Sequence, residues 1–452
     1  MPGAMETAVT EGVDLSTARI GKDARMPKFA LTMAWWGLCS AMVYLIIGAT
    51  LALYYGTGNA IIGMVLSVVV YAVVNFVLTR HAIKTGLSVS LFSRMLFGDA
   101  GAALATLILA ATVIYYAVFE SSVIAVAINH LFPVISYPVA ALLVVLFSAP
   151  LVFGSVQNWL DKLNGVLLPF YVAGLIAAVV MTTRTYGYSD AWLHFGPPTG
   201  AVSPGGWWNC FVYYMGVWVF MMAAFDFARF GKEKDARYHG VVNFGLPFWT
   251  MTFIVNGVIG IYLVSTIPGS GAPSEVSVVL ALLKLMGIWG FGFLLVTQTR
   301  INTANYYLAT INTHAFFQRT LGLNFPKFVW TLVVAAVVYS LMLSGLFSKL
   351  LQALAYQGVF VVAWVAVALA HILSSRSYER ADEAVDSALA NVPTFNVGGL
   401  LAWFAGVAAG IAAMGASATV QSFSAPLTFV VSALTYLVLS TYARRALAAA
   451  RV

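Results

Sequence analysis

The sequence predicts an all-α polytopic membrane protein with about twelve transmembrane helices, and three observations support this fold class. Of its 452 residues, 61% are hydrophobic and 9% are charged, whereas a soluble domain carries about 25% charged residues. The mean hydropathy is +0.90. Apolar runs of about 20 residues, long enough to cross roughly 30 Å of hydrocarbon, recur along the chain.

The apolar runs predict the spans in chain order. They fall near 29–53, 58–79, 100–129, 137–154, 163–182, 207–228, 240–264, 287–313, 327–345, 349–373, 396–416 and 424–442. Residues 274–286 are also apolar, but they lie between the Gly/Pro/Ser-rich GSGAPS and the glycines of GIWGFG. We expect this stretch to form a helix that lies on the membrane interface.

The Lys and Arg residues of the loops predict the orientation. With the N-terminus in the cytoplasm, most of the 23 Lys and Arg residues lie on the cytoplasmic side, and the opposite side receives Arg184, Lys284 and Lys349. This asymmetry predicts an even number of spans with both termini cytoplasmic. We expect a cytoplasmic N-terminal tail at 1–27, a single transmembrane transporter domain at 28–442 in the plasma membrane, and a cytoplasmic tail at 443–452.

Several classes of function lack support in the sequence. The net charge is +7, but the basic residues lie in short loops and form no stripe, so no nucleic-acid partner is expected. Cys39 and Cys210 lie in or next to apolar runs without metal-ligand spacing, and we interpret both as packing residues. The sequence contains no phosphate loop, His-Glu-x-x-His or Gly-x-Ser-x-Gly motif, so we expect no enzyme activity, cofactor or metal. Transport driven by a gradient is the simplest interpretation.

Two charged residues stand alone inside apolar runs, Glu120 in the third span and Arg300 in the eighth. A charge at the centre of a bilayer costs about 2.5 to 3.5 kcal/mol even on permissive scales, so such residues mark functional sites. Tyr116 precedes Glu120 by four residues and shares its helix face. A carboxylate accepts two parallel hydrogen bonds, the pattern that a heterocycle with adjacent N–H groups presents. The alternative is a structural ion pair between Glu120 and Arg300.

The eighth span is polar for a helix that crosses lipid, so its polar positions are expected to face protein or water. Gln298, Asn302 and Asn305 lie within two turns of one another. The amide of Asn305 carries both a donor and an acceptor, so it is a candidate for reading an amide-like substrate edge. The alternative is hydrogen bonding between helices.

Glycines in the first and sixth spans are candidates for helix breaks of the kind that many transporters carry at midplane. Gly37 or Gly48 in the first span and Gly216 in the sixth could permit unwinding, which would turn backbone groups toward a ligand. We therefore include Gly37 and Gly216 among the candidate substrate-binding residues. The alternative is close helix packing, for which glycine is common in membranes.

Three further residues of the sixth span are candidates. Trp218 lies near the middle of the span, where an interfacial anchor is not expected, so it is a candidate for stacking on a ligand. Asp226 and Arg229 are three residues apart near the predicted cytoplasmic end. We interpret them as a gating or structural ion pair.

The motif Met215–Lys232, MGVWVFMMAAFDFARFGK, resembles the sixth helix of the nucleobase:cation symporter family, which includes purine, cytosine, allantoin and hydantoin permeases. The matching features are Gly-x-Trp followed by Asp-x-x-Arg-Phe. The segment Asn305-Tyr-Tyr-Leu-Ala is similar to Asn-Leu-Tyr-Ser-Ala of the family. The stretch from Leu31 to Leu51 ends in Gly-Ala-Thr-Leu, like the first helix of the family, and the number of spans also agrees.

The resemblance implies a five-plus-five inverted repeat with two extra C-terminal helices. Repeat one would cover about 28–182, repeat two about 207–373, and the extra helices about 396–442. The substrate would lie between spans one, three, six and eight. The family's fold also implies transport by alternating access.

The resemblance also implies roles for individual residues. Trp218 looks like the ring-stacking Trp of the family's sixth helix, and Asn305 looks like its polar reader in the eighth. Tyr116 and Glu120 stand where the family has a stacking aromatic and often a Gln. Arg300 lies near the position where sodium-coupled members supply hydroxyl ligands, so a fixed guanidinium is expected to substitute for the ion. We therefore expect sodium-independent uptake with Glu120 as the proton carrier.

The predicted function is a secondary active transporter that imports a nucleobase or related heterocycle. Its expected partners are this small molecule, a coupling proton or other cation, and the lipid bilayer. One alternative is a transporter of the same fold for an amino acid or amine, in which Arg300 would bind a carboxylate. Another alternative is a channel or sensor without coupled transport. The sequence predicts no oligomeric state.

Overall fold

The computed structural model describes residues 19–268, 276–375 and 382–449, and its regular elements within these ranges are helices. The bounds of the longer helical elements are α1 Lys28–Trp36, α2 Val43–Tyr55, α3 Thr57–Thr85, α4 Val89–Phe97, α5 Gly101–Leu131, α6 Tyr137–Ser148, α7 Gly154–Tyr186, α8 Gly206–Met215, α9 Val219–Ala228, α10 Glu233–Thr266, α11 Ser277–Met286, α12 Ile288–Leu321, α13 Lys327–Leu343, α14 Leu350–Ser375, α15 Asp382–Ala390, α16 Val397–Met414, α17 Ala418–Gln421 and α18 Ser424–Ala449. The prediction of an all-α membrane protein is confirmed.

The membrane spans follow from helix length and apolar composition. Within the described residues, 7 helices are long and apolar enough to cross a membrane, and the number is 9 when each of two bent pairs counts as one span. Three more predicted spans coincide with α6 and α13, which are shorter, and with α12, which is long but polar. The predicted count of twelve therefore stays a prediction. The short α11 covers most of the stretch expected on the interface.

The first and sixth spans are both interrupted near their middle. A 3₁₀ turn at Gly37–Ser40 and an extended Ala41 separate α1 from α2, and the two helices meet at a bend of 43°. Between α8 and α9, the N–H groups of Gly216, Val217 and Trp218 bond three residues back, and the bend is 44°. The two broken spans are therefore those in which glycines were proposed as candidates for a helix break.

The two candidate glycines of the first span have different structural roles. Gly37 lies at the break of the first span, whereas Gly48 lies inside α2 and packs against the last part of α10. A Cβ atom on Gly48 would overlap the backbone of Gly257, and one on Gly260 would overlap the Leu45 carbonyl. The two helices therefore touch backbone to backbone, as small residues permit in membranes.

We expect Gly48→Ala to lower the thermal stability of the purified protein, because the added methyl group would overlap the backbone of Gly257. Moving that backbone aside costs more free energy than turning a flexible side chain. Overpacking of this kind costs about 1 to 3 kcal/mol. Gly292→Ala is the matched control, since nothing lies within 4 Å of a Cβ atom at that helical position. Equal melting temperatures for the two variants would contradict the close packing of α2 and α10.

The described end of the N-terminal segment packs against helix ends rather than standing apart. The Ile20 N–H donates to the Gly86 carbonyl at 3.0 Å, and the Met26 N–H donates to the Phe230 carbonyl at 2.7 Å. Arg25 donates to the carbonyls of Ile83 and Gly231. The segment thus ties the end of α3 to the end of α9. Residues 1–18 of the expected tail lie outside the described residues.

Candidate functional site

Arg300 lies against the break of the first span. Its Nη1 donates to the Gly37 carbonyl at 2.7 Å and lies 3.5 Å from the Ser40 hydroxyl. The guanidinium occupies the space that a Cβ atom on Gly37 would need. Ser40 Oγ also donates to the Gly37 carbonyl at 2.7 Å. The absence of a side chain at Gly37 is therefore what allows the guanidinium to reach the backbone.

Two amide side chains bond other backbone groups near this break. Asn256 Nδ2 of α10 donates to the Cys39 carbonyl at 2.8 Å, and the Tyr171 hydroxyl donates to Asn256 Oδ1 at 3.0 Å. The Met42 N–H donates to Gln298 Oε1 of α12 at 3.3 Å. A helix break inside a membrane is tolerated only where its freed groups find partners in the protein. Here side chains from α10 and α12 supply them, and Tyr171 of α7 bonds the Asn256 amide in turn.

Glu120 is connected to the same break through Gln298. The carboxylate is 1% exposed and accepts a hydrogen bond from Gln298 Nε2. Because Gln298 also accepts from Met42, one amide joins α5 to the broken first span. Glu120 bonds Gln298 while Arg300 bonds Gly37, so the two lone charges have different partners in these contacts.

Aromatic rings lie beside Glu120. Tyr116, one turn before it on α5, packs against Phe220 of α9 with 5.7 Å between ring centroids, and Tyr44 of α2 packs against the same Phe220 ring at 5.7 Å. Tyr44 and Tyr116 are buried, and the Tyr116 hydroxyl lies beside the Gln357 side chain. Within the described residues the Tyr44 hydroxyl has no hydrogen-bond partner. Buried hydroxyls normally have partners, so the Tyr44 hydroxyl is available to a polar ligand.

The break of the sixth span contacts α14. Gln357 Nε2 donates to the Gly216 carbonyl at 3.3 Å, and its side chain lies beside the Tyr116 hydroxyl. Trp218 is 3% exposed and meets Tyr71 and Phe429 edge-on, with centroid distances of 6.3 and 5.8 Å. On α9, the ring that Tyr116 contacts is Phe220, two residues after Trp218. The stacking of Trp218 on a substrate stays a prediction.

The polar residues of α12 divide into two groups. Asn302 Nδ2 donates to the Ser121 hydroxyl at 2.8 Å and to the Ser148 hydroxyl at 3.2 Å, so it ties α12 to α5 and α6. Asn305 is half-buried, and within the described part of the chain its buried Nδ2 has no hydrogen-bond partner. Asn302 therefore matches the alternative of bonding between helices, while Asn305 remains available to a ligand.

Asp226 and Arg229 lie at the end of α9, away from the break. Asp226 Oδ1 accepts from the Val89 N–H at 2.7 Å, so the carboxylate caps the start of α4. Arg229 Nε donates to the backbone carbonyl of Asp226 at 3.2 Å, and its guanidinium lies 5.0 Å from the Phe230 ring centroid. The gating role of this pair stays a prediction.

Four residues near the site were not predicted, namely Tyr44, Phe220, Asn256 and Gln357. Asn256 and Gln357 are polar residues inside apolar runs, which is the same signal that pointed to Glu120. Tyr44 and Phe220 carry no such signal, because aromatic residues are common throughout the spans. Their positions depend on how α2 and α9 leave the two breaks.

We expect Gly37→Ala to reduce both uptake and thermal stability, because the new methyl group would displace the Arg300 guanidinium from the Gly37 carbonyl. A double-mutant cycle with Arg300→Thr tests the cause. In the Arg300→Thr background, Gly37→Ala should reduce uptake and thermal stability much less, because the guanidinium no longer fills the space beside Gly37. Fully additive losses would contradict this contact.

Comparison with known proteins identifies the family of the chain. A family model described as a permease for cytosine/purines, uracil, thiamine and allantoin matches residues 19–439. The chain belongs to this permease family. The predicted family is thereby confirmed. No curated protein matches this permease.

Solved structures show which fold the permease adopts. The inward-facing conformation of Mhp1 matches with a TM-score of 0.75 and 13% identity, covering 96% of this chain and 94% of that one. Mhp1, a nucleobase-cation-symport-1 family transporter, also matches in a closed conformation with bromovinylhydantoin bound, with a TM-score of 0.69, 14% identity, and 97% and 96% coverage. A Na⁺-coupled sialic acid symporter matches with a TM-score of 0.60, 13% identity, and 92% and 90% coverage. The predicted five-plus-five transporter fold is confirmed.

Proposed function

We propose that this permease is a secondary active importer of a nucleobase or related heterocycle in the cytoplasmic membrane, with both termini in the cytoplasm. Its family consists of multi-pass membrane transporters that work by alternating access. Within that family, we assign it to the members that take a purine, cytosine, allantoin or hydantoin, and we propose uptake that is proton-coupled or otherwise independent of sodium.

The observation that carries the proposal is the buried Glu120 carboxylate beside Tyr116 and Phe220, between two broken helices. A buried carboxylate is costly unless it is paired or serves a function. Aromatic rings one turn away provide the apolar faces on which a planar heterocycle stacks. A small polar ring therefore fits this region better than a flexible aliphatic solute does.

The polar groups of this region describe the chemistry of the ligand. The Tyr44 and Tyr116 hydroxyls can donate to carbonyl oxygens, while Glu120 and Gln357 Oε1 can accept from N–H groups. A ring that carries both carbonyl and N–H groups offers partners for donors and acceptors of both kinds. Oxygenated pyrimidines, purines and hydantoins have this combination, and a hydrocarbon ring lacks it.

The proposed sodium independence rests on Arg300. Its guanidinium donates to the Gly37 carbonyl at 2.7 Å, so a permanent positive charge already lies at this carbonyl of the first helix break. Arginine stays protonated at any physiological pH and cannot leave with the substrate. Glu120 is then the buried group that can gain and lose a proton during the cycle.

The amino-acid alternative receives less support. An amino acid would need Arg300 for its carboxylate, but that guanidinium already bonds the Gly37 carbonyl and lies near Ser40. An organic cation remains compatible with the site through the Glu120 carboxylate. It is therefore included in the test below.

The test measures uptake and binding with purified protein in liposomes. Thermal shifts are recorded for a panel of nucleobases, allantoin, hydantoins, amino acids and one organic cation, and uptake of the best ligand is measured with sodium or choline at constant pH and membrane potential. We expect a heterocycle to give the largest shift and sodium to have no effect. A largest shift with an amino acid would refute the substrate class, and uptake that rises with sodium would refute the coupling.

A further inference from the structure

A groove of about 290 Å³ opens on the outer surface of the helix bundle between α3 and α10. It is lined by apolar residues of both helices, among them Val73, Phe76 and Val77 of α3 and Gly240, Val241 and Leu246 of α10. Three of these side chains are strongly exposed, Val73 at 63%, Val241 at 46% and Leu246 at 50%. The groove therefore faces the lipid and not the substrate region.

The backbone of α10 shapes this groove. The helix is π-helical at His239–Asn243 and turns at Phe244 and Gly245 before it continues. Gly240 lies against the Phe76 ring, and a Cβ atom there would come within 2.9 Å of it. The two helices are thus close at Gly240. The irregular stretch of α10 after Gly240 leaves the groove open beside this contact.

The groove lies in one leaflet. Phe76 precedes the end of α3 at Thr85 by nine residues, and Val241 follows the start of α10 at Glu233 by eight. At 1.5 Å per residue both lie roughly 13 Å from the ends of their helices. Half of the hydrocarbon thickness is about 15 Å. One acyl chain can therefore lie along the groove without crossing the midplane.

Basic side chains border the end of the groove. Arg80 is exposed, and its guanidinium carbon lies 5.4 Å from the centroid of Phe76. Arg237 is exposed three residues before Gly240, in a turn of α10 that packs against α3. Lys84 lies one turn beyond Arg80 on the same helix face. The start of α10 and the residue before it add further charges of both signs, in the order Lys232, Glu233, Lys234 and Asp235.

We propose that this groove binds an anionic phospholipid of the cytoplasmic leaflet, with an acyl chain on Val73, Phe76 and Val241 and the headgroup phosphate on Arg80 and Arg237. Basic pockets at the cytoplasmic ends of transmembrane helices bind anionic headgroups, and each basic residue near the surface contributes about 1 kcal/mol. The positive-inside rule assigns this end of the helices to the cytoplasm. The charge at the groove selects a lipid over a second copy of the chain, because the same basic groups on a symmetric partner would repel.

The lipid joins one helix from each half of the fold, since α3 lies in the expected first repeat and α10 in the second. Occupancy should therefore stabilise the packing of these two helices. A ligand that binds only the folded state raises the melting temperature, and the rise increases with the logarithm of its concentration relative to its Kd.

The test compares phosphatidylglycerol with phosphatidylcholine carrying the same acyl chains, added to the purified full-length protein. We expect phosphatidylglycerol to raise the melting temperature more and to remain bound in native mass spectrometry. Arg80→Gln with Arg237→Gln should weaken phosphatidylglycerol binding roughly 30-fold and remove its advantage. Arg319→Gln removes an exposed arginine at the end of α12 and is the matched control. It should change neither phosphatidylglycerol binding nor the difference in melting temperature between the two lipids.

A second variant tests the acyl chain separately from the headgroup. Val241→Trp fills the groove and should reduce phosphatidylglycerol binding while leaving both arginines in place. Equal stabilisation by the two lipids, or full phosphatidylglycerol preference in the double arginine variant, would overturn the proposal. Stabilisation by soluble glycerol 3-phosphate equal to that by the lipid would overturn it as well, because the groove would then contribute nothing.

Discussion

Glu120→Gln should abolish the dependence of uptake on external pH and change the order in which ligands bind. The wild-type protein is expected to take up substrate faster as external pH falls, because Glu120 must be protonated before it crosses. Glutamine has the same shape and can still accept from Gln298 Nε2 through its own oxygen. The variant should therefore fold, but it cannot carry a proton.

The effect on binding should depend on the ligand. Hydrogen bonds to a charged group are worth about 1.5 to 3 kcal/mol, so ligands with two adjacent N–H groups should lose about tenfold to 100-fold in affinity. Ligands without that edge should change little. Glu233→Gln, at an exposed carboxylate at the start of α10, is the control and should leave both the pH profile and the rank order of ligands unchanged. An unchanged pH profile and rank order in Glu120→Gln would instead assign Glu120 a purely structural role.

Arg300→Thr should lower sodium-free uptake at least about tenfold, and sodium should restore part of it. The substitution takes a positive charge from the Gly37 carbonyl and leaves space beside Ser40. Losing the charged donor costs about 1 to 3 kcal/mol. The threonine hydroxyl, the Gly37 carbonyl and the Ser40 hydroxyl then present oxygen atoms to the same space, which a small monovalent cation can occupy.

Arg300→Lys separates charge from geometry. Lysine keeps the charge but presents a single ammonium on a different stem, so it is not an equivalent partner for a backbone carbonyl at this site. We expect intermediate uptake that remains insensitive to sodium. Uptake is compared in sodium and choline at constant pH and membrane potential. Wild-type uptake stimulated by sodium, or an Arg300→Thr variant with normal sodium-free uptake, would falsify the substitution of the ion by the guanidinium.

The fold was predictable because each span is a long apolar run, and few structures other than helices can cross lipid. The two broken spans were predictable as a pair, since each contains glycine near midspan. The choice between Gly37 and Gly48 was not, because both are glycines in one apolar run and they differ only in their neighbours. Arg300 fills the space at the first, while the backbone of α10 fills it at the second.

The site was predictable to the extent that charge in an apolar run is informative. Glu120 and Arg300 were found in this way, but their partners were not. Gln298 lies 178 residues from Glu120 and Arg300 lies 263 from Gly37. Which helix faces meet over such distances depends on tertiary packing. Direct pairing of the two charges was one alternative; in the contacts described above, Glu120 bonds the Gln298 amide and Arg300 bonds the Gly37 carbonyl.

The contact of Gly48 with Gly257 also constrains how the protein moves. α2 belongs to the expected first repeat and the end of α10 to the second, yet their backbones touch with no side chain between them. Such a contact has no flexible layer along which one helix can slide past the other. We therefore expect α2 and the end of α10 to move together during transport, as parts of one rigid body that takes helices from both expected repeats.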